Sequence, residues 1–392
     1  MIISIEQIET LLLIAAIVVM VARRLKIPYT VGLMLAGIAL ALLPLYPEIE
    51  LTKELIFTIF LPPLIYEAAI YIKWEELRRD LPVILIFATV GVLLSAGVTA
   101  AGMHYLAQWQ WQSAILFGVL IAATDPVSVI ATFKEAGVHG RLRLLVEAES
   151  LFNDSAAAVA FSIALAFALG GNITIFGTLQ AIVITIAGGI LCGVLVGAGV
   201  LLLAGRTDDH LVEIMLTTIA AYGSFLLAER FHVSGVLASL VAGLLTGNIG
   251  ALGSITDKGR DAVESFWEFI AFVVNSLIFM LIGIREAHQD FTNFAVPITI
   301  AIIIVLVGRA VTIYPLSVLF SRSPLQLKPS HQHILFWGGL RGALALALAL
   351  GLPSEIPQRE AIVTVAFGVV ALSIFTQGLT MVPLLRKLKE IP

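Results

Sequence analysis

LRLLVEAESLFNDSAAAVAFSIALAFAL, residues 142–169, is an apolar run long enough to cross a bilayer as one helix, which takes about 20 residues. It carries Glu149 and Asp154 well inside that run. A charge at the bilayer centre costs about 2.5–3.5 kcal/mol even on the mildest scale, so such carboxylates point to function. Ser150 and Asp154 are four residues apart and share one helix face. Glu149 and Asn153 stand on the adjacent stripe. The first face offers hard oxygens to a small cation, and the second offers a carboxylate and an amide that brace it. Glu147 is nearer the inner end and reads as a solvated charge at the helix start.

The rest of the chain repeats this character. Of 392 residues, 59% are hydrophobic and only 13% charged, which excludes a water-soluble enzyme. The net charge of −4 comes without a basic patch, so no nucleic-acid partner is expected. A single cysteine, Cys192, excludes a disulfide framework and a cysteine metal site. Hydropathy predicts an all-α polytopic membrane protein of about 13 transmembrane helices, spanning approximately 5–22, 28–44, 51–72, 80–106, 113–133, 142–169, 174–204, 209–229, 233–249, 262–284, 294–320, 331–352 and 360–385. The first span has no Lys or Arg before it and Arg23, Arg24 and Lys26 after it, the reverse of a secretory signal, so it reads as a retained helix.

Basic residues set the orientation. With the N-terminus outside and the C-terminus cytoplasmic, inner segments receive Arg23, Arg24, Lys26, Lys73, Arg78, Arg79, Lys134, Arg141, Arg143, Arg206, Lys258, Arg260, Arg322, Lys328, Arg386, Lys387 and Lys389. Outer segments receive only Lys53, Arg230, Arg285 and Arg359. The histidines fall at span ends or in loops, where solvation is the ordinary state.

RLKIPYTVGLMLAGI at 24–38 aligns with RFHVSGVLASLVAGL at 230–244, pairing Arg24 with Arg230 and Gly37 with Gly243. The two segments enter the second and ninth spans, and a shift of seven spans reverses direction in the membrane. This predicts two inverted six-helix repeats with the seventh span as connector, the architecture of secondary transporters. Gly189, Gly193 and Gly197 at four-residue spacing on the seventh span predict close helix packing, within the chain in the first reading and across a subunit interface in the second.

The remaining deep charges need reasons of their own. Asp125 lies in AATDPVSV, and Pro126 both lacks an N–H and pushes Asp125 out of the α region. The fifth span should therefore break, presenting Thr124 and Asp125 to a cavity. FWGGLRGALA, with Gly338, Gly339 and Gly342 around Arg341, predicts a second broken helix, seven spans later. Arg309 and Arg341 each require an acceptor, and Glu149 is the candidate partner of Arg309, with Arg341 as competitor. Glu67, in LPPLIYEAAI behind Pro62 and Pro63, is a further carboxylate near the cavity.

LPPLIYEAA, ATDPVSV, VEAESLFNDSAAAV and FWGGLRGALALALAL, in this order, resemble the monovalent cation:proton antiporters of the NhaP and NHE type. The resemblance implies that Asp154 binds cation and proton in turn beside Asn153. Thr124, Asp125, Ser150 and Glu67 would lie around the Na+, and Glu149 would pair with Arg309. It further implies a homodimer with a mobile core bundle, here approximately 80–169 and 294–385. The scaffold and dimer part would be approximately 1–72 and 174–284. The expected activity is exchange of Na+ or Li+ for H+ across the cell membrane, one for one and without a cofactor. A K+/H+ antiporter or a sodium-coupled symporter on a related repeat is the alternative. An intramembrane aspartyl protease is disfavoured, since neither aspartate has a GxGD context.

Overall fold

The computed structural model describes residues 5–25, 27–43, 51–125, 129–130, 133, 136–171, 174–250 and 254–391. Lys26, Pro126 and Lys134 lie outside them. The described residues form helices and contain no strand. In chain order the helices are α1 (Ile5–Leu25), α2 (Tyr29–Ala41), α3 (Leu55–Ile70), α4 (Trp74–Ala107), α5 (Trp111–Leu120), α6 (Arg141–Ala168) and α7 (Ile175–Ala204). There follow α8 (His210–Arg230), α9 (Gly235–Asn248), α10 (Asp257–Glu286), α11 (Ala295–Leu319), α12 (Pro329–Trp337), α13 (Ala343–Leu350) and α14 (Arg359–Lys387). Among the described residues, α4, α6, α8, α10, α11, α14 and residues Phe176–Ala204 of α7 are long and apolar enough to cross a membrane.

Helix starts follow local chemistry. Thr174 caps α7 by accepting from Gly177 N, Asp209 caps α8 through Leu211 N, and Ser234 caps α9 through Leu237 N. Elsewhere the helices are widened by a π-helical turn, at Phe87–Gly91 in α4 and at Ser373–Gly378 in α14. Such turns free backbone carbonyls and occur often at functional sites. The Gly91 carbonyl accepts from Thr312 Oγ1 on α11 at 3.1 Å.

The chain divides into two compact units. The first comprises Met1–Ile56, Pro82–Gly171 and Asn275–Pro392; it holds α1, α2, α5, α6, α11 to α14, most of α4 and the end of α10. In it Gly37 of α2 meets α10 so closely that a Cβ would stand 2.1 Å from Met280 O. The second unit comprises Phe57–Leu81 and Asn172–Val274, with most of α3, the start of α4, α7 to α9 and the start of α10. Gly189, Gly193 and Gly197 there pack α7 on α9, facing Ser234, Ala238 and Ala242. This is the intrachain packing their spacing predicts.

Candidate ion-binding site

Two interruptions meet inside the first unit. The helix α5 ends at Leu120, and residues 123–125 are irregular. Between α12 and α13, residues 339–342 are likewise irregular, with Gly342 extended at φ −149° and ψ −150°. Each break supplies what the other lacks. The Asp125 N–H donates to Leu340 O at 2.8 Å. Arg341 Nη1 donates to Ala122 O at 2.8 Å and to Ala123 O at 3.0 Å. Carbonyls freed by one broken helix are thus satisfied by the arginine of the other, as irregular backbone at membrane depth requires. A Cβ on Gly342 would lie 2.3 Å from both Asp125 Cβ and Oδ2, and one on Gly339 would lie 2.6 Å from Arg309 Nε. Only glycine lets these two charged groups lie across the break. The widened turn of α14 enters here too, since Ser373 Oγ accepts from Arg341 N at 3.2 Å.

The polar face of α6 closes the site. The Thr124 N–H donates to Asn153 Oδ1 at 3.0 Å, and Asn153 Nδ2 donates back to Thr124 Oγ1. Thr124 Oγ1 and Ser150 Oγ lie 3.0 Å apart as a hydrogen-bonded pair. Asn153 Nδ2 also reaches Glu149 Oε1 at 3.3 Å. Glu149 in turn receives Arg309 Nη1 at 2.7 Å and Nη2 at 3.0 Å, a two-pronged ion pair with both partners buried. Arg309 also donates to Leu335 O, through Nε at 3.2 Å and Nη2 at 2.9 Å, capping the end of α12. Arg341, the competitor for Glu149, holds the Ala122 and Ala123 carbonyls instead.

Asp154 is only 8% exposed, and its Oδ1 has no hydrogen-bond partner among the described residues. Asp125, Glu149 and Arg341 are near enough to act on it electrostatically. With Arg309, the group holds three carboxylates and two guanidiniums, hence a formal charge of −1. The neighbours of Asp154 cancel, so the uncompensated charge of the group is that of Asp154 itself, a buried carboxylate with an oxygen that no described residue hydrogen-bonds.

Residues 10–387 match the family described as sodium/hydrogen exchanger, transmembrane. The chain belongs to this family. Among sodium/hydrogen exchangers, it is 40% identical to the Na(+)/H(+) antiporter ApNhaP of Aphanothece halophytica, over 93% of this chain and 70% of that protein. It is also 40% identical to the low-affinity Na(+)/H(+) antiporter NhaS1 of Synechocystis sp., over 91% and 68% respectively. The fold is shared with the sodium proton antiporter MjNhaP1 of Methanocaldococcus jannaschii, at a TM-score of 0.80 and 20% identity, covering 98% of this chain and 97% of that one.

Seen within the exchanger family, the structure gathers Thr124, Asp125, Glu149, Ser150, Asn153, Asp154, Arg309 and Arg341 in one unit. Glu67 sits half-buried on α3 in the other unit. The helix break at Asp125 is present, although Pro126 itself lies outside the described residues. Two expectations are corrected. Glu147 is not solvated: it is buried, and Arg143 Nε approaches its Oε2 at 3.5 Å one turn away. His331 is buried as well, 3.8 Å from Glu390. Sequence reasoning missed Ser373, Leu335 and Leu340. The latter two act through backbone carbonyls, which carry no residue-type signal, and Ser373 lies in a helix with no unusual charge.

Proposed function

We propose that this sodium/hydrogen exchanger moves Na+ against H+ by alternating access, with Asp154 binding the cation and the proton in turn. The observation that carries the reading is the buried Asp154 Oδ1, without a hydrogen-bond partner among the described residues, in a cluster whose net charge of −1 includes Asp154. Thr124 and Ser150 hydroxyls and the Asp125 carboxylate supply further oxygens to Na+. Asn153 and the Glu149–Arg309 pair hold α6 in register with the break. One Na+ or one H+ brings the cluster to zero, so the same neutral group crosses in both half-cycles and exchange is one for one. Asn153, being amide rather than acid, adds no second proton. The relatives' named substrate supports Na+ over K+. A solute symporter has no observation in its favour.

The finer architecture belongs to the same proposal. Thirteen spans in two inverted six-helix repeats place both breaks in equivalent positions. The N-terminus lies outside a bacterial-type inner membrane and the C-terminus in the cytoplasm, as the basic residues direct. The protein works as a homodimer.

The test is Na+-driven proton movement in proteoliposomes, with K+ and Li+ in parallel and voltage clamped. Asp154→Asn should abolish exchange while the purified variant melts as the parent does. Persistent exchange in that variant removes Asp154 from its role, and a sustained current would break the one-for-one stoichiometry.

A further inference from the structure

The first unit carries a second built feature that ion exchange does not use. A groove of about 420 Å³ runs between α11, α12 and the end of α14. Its walls include Tyr314, His333, Phe336, Trp337, Thr380 and Lys387. Its size falls in the range of small-ligand pockets, about 300–1,000 Å³. On two of these helices, α11 and α14, Val311, Val318, Leu319 and Leu379 are exposed apolar side chains. Two of its aromatic groups have their polar ends already fixed: the Tyr314 hydroxyl bonds His333 Nδ1 at 2.8 Å, and Trp337 Nε1 donates to Thr380 Oγ1 at 2.8 Å. Rings that are apolar along the body and polar at the tip are those favoured at the level of lipid headgroups. Lys387 is the only formal charge lining the groove among the described residues, and Arg386 and Lys389 lie beside it in sequence. The groove therefore offers an apolar trough ending in positive charge, which fits an acyl chain below a phosphate.

The far wall of the groove explains what an occupant would do. Trp337 also lines a smaller cavity of about 40 Å³ that reaches Arg309, Gly339, Arg341, Ser373 and Gln377. Arg341 Nε is buried there without a hydrogen-bond partner. A molecule pressing Trp337 and α12 against α14 would hold the wall behind the crossing breaks.

We infer that the groove binds one anionic phospholipid of the cytoplasmic leaflet, its phosphate on Lys387 and a chain along Phe336 and Trp337, and that this lipid steadies the ion-site crossover. The choice of leaflet rests on the orientation in the functional reading; the groove itself does not.

The test uses the whole purified protein in detergent. Its melting is followed with added phosphatidylglycerol, phosphatidylcholine or inorganic phosphate. Phosphatidylglycerol should raise Tm in a concentration-dependent way, because it binds the folded state. Lys387→Gln should remove more than half of that rise, and His333→Gln should reduce it. Lys389→Gln, outside the groove, should retain it. An equal rise with phosphatidylcholine overturns the proposal, as does an equal loss in Lys389→Gln, which would mean diffuse surface charge. A rise with inorganic phosphate alone overturns the lipid as occupant. Exchange is then measured in phosphatidylcholine vesicles with and without phosphatidylglycerol. The parent should gain rate from the anionic lipid, and Lys387→Gln should not. Failure of exchange in every vesicle would count against the transport reading, leaving the melting result intact as the test of the groove.

Discussion

Removing either partner of the Glu149–Arg309 pair should destabilise the exchanger more than removing both. The pair is buried, two-pronged and at 2.7 and 3.0 Å. Deleting one partner of such a pair leaves an uncompensated buried charge and typically costs about 3–5 kcal/mol. In Glu149→Leu, Arg309 keeps its two bonds to Leu335 O, so the loss should sit near the lower end of that range. In Arg309→Met, Glu149 retains only the 3.3 Å contact from Asn153, and the Leu335 carbonyl is orphaned as well, so the loss should be larger. The double variant Glu149→Leu/Arg309→Met removes both charges and leaves chiefly the orphaned carbonyl, about 1–3 kcal/mol. Parent, double variant, Glu149→Leu and Arg309→Met should therefore melt in descending order. The single variants should lose roughly 4–6 °C for a chain of this size. Differential scanning fluorimetry on the purified proteins reads the order directly. Single variants melting within about 1 kcal/mol of the parent, or a double variant below both, would refute the reasoning, because surface-like pairs behave that way. Function separates the variants further. Glu149→Leu raises the cluster's formal charge from −1 to 0, so its Na+ affinity should fall, whereas Arg309→Met takes it to −2.

Gly342→Ala should cripple exchange, since its Cβ would meet Asp125 at 2.3 Å; overpacking costs about 1–3 kcal/mol, and transport should fall further than Tm suggests. Apparent Na+ affinity should weaken about tenfold per pH unit below the pKa of the shared carboxylate, because protons occupy it as pH falls. Initial-rate measurements across a pH series check this, and a pH-independent KM would contradict single-site competition. Gly37→Ala, whose Cβ would sit 2.1 Å from Met280 O, should lower Tm by forcing α2 from α10, with unchanged KM for Na+ in whatever protein folds.

The helices, the carboxylates inside them and the small-residue stripe of α7 were legible because each depends on residues a few positions apart. Hydropathy over about 20 residues and the four-residue stripes of α6 are local quantities. The break at Asp125 was legible for the same reason: proline acts on its immediate neighbours. What the sequence left open was where the second arginine, Arg341, finds its acceptors. Glu149 and Arg309 are 160 residues apart, and the expectation of their pairing, with Arg341 ranked second, drew on the family resemblance as well as on the cost of a lone buried charge. The tertiary structure decided between the two arginines by placing Arg309 on α11 against the end of α12, while the glycine-lined break carried Arg341 to carbonyls 218 and 219 positions away. Those acceptors are backbone oxygens, identical at every residue, so only the geometry of two interrupted helices selects them. Glu147 follows the same rule. Its sequence position suggested solvent, and its burial came from helices packed around it, which no local period records.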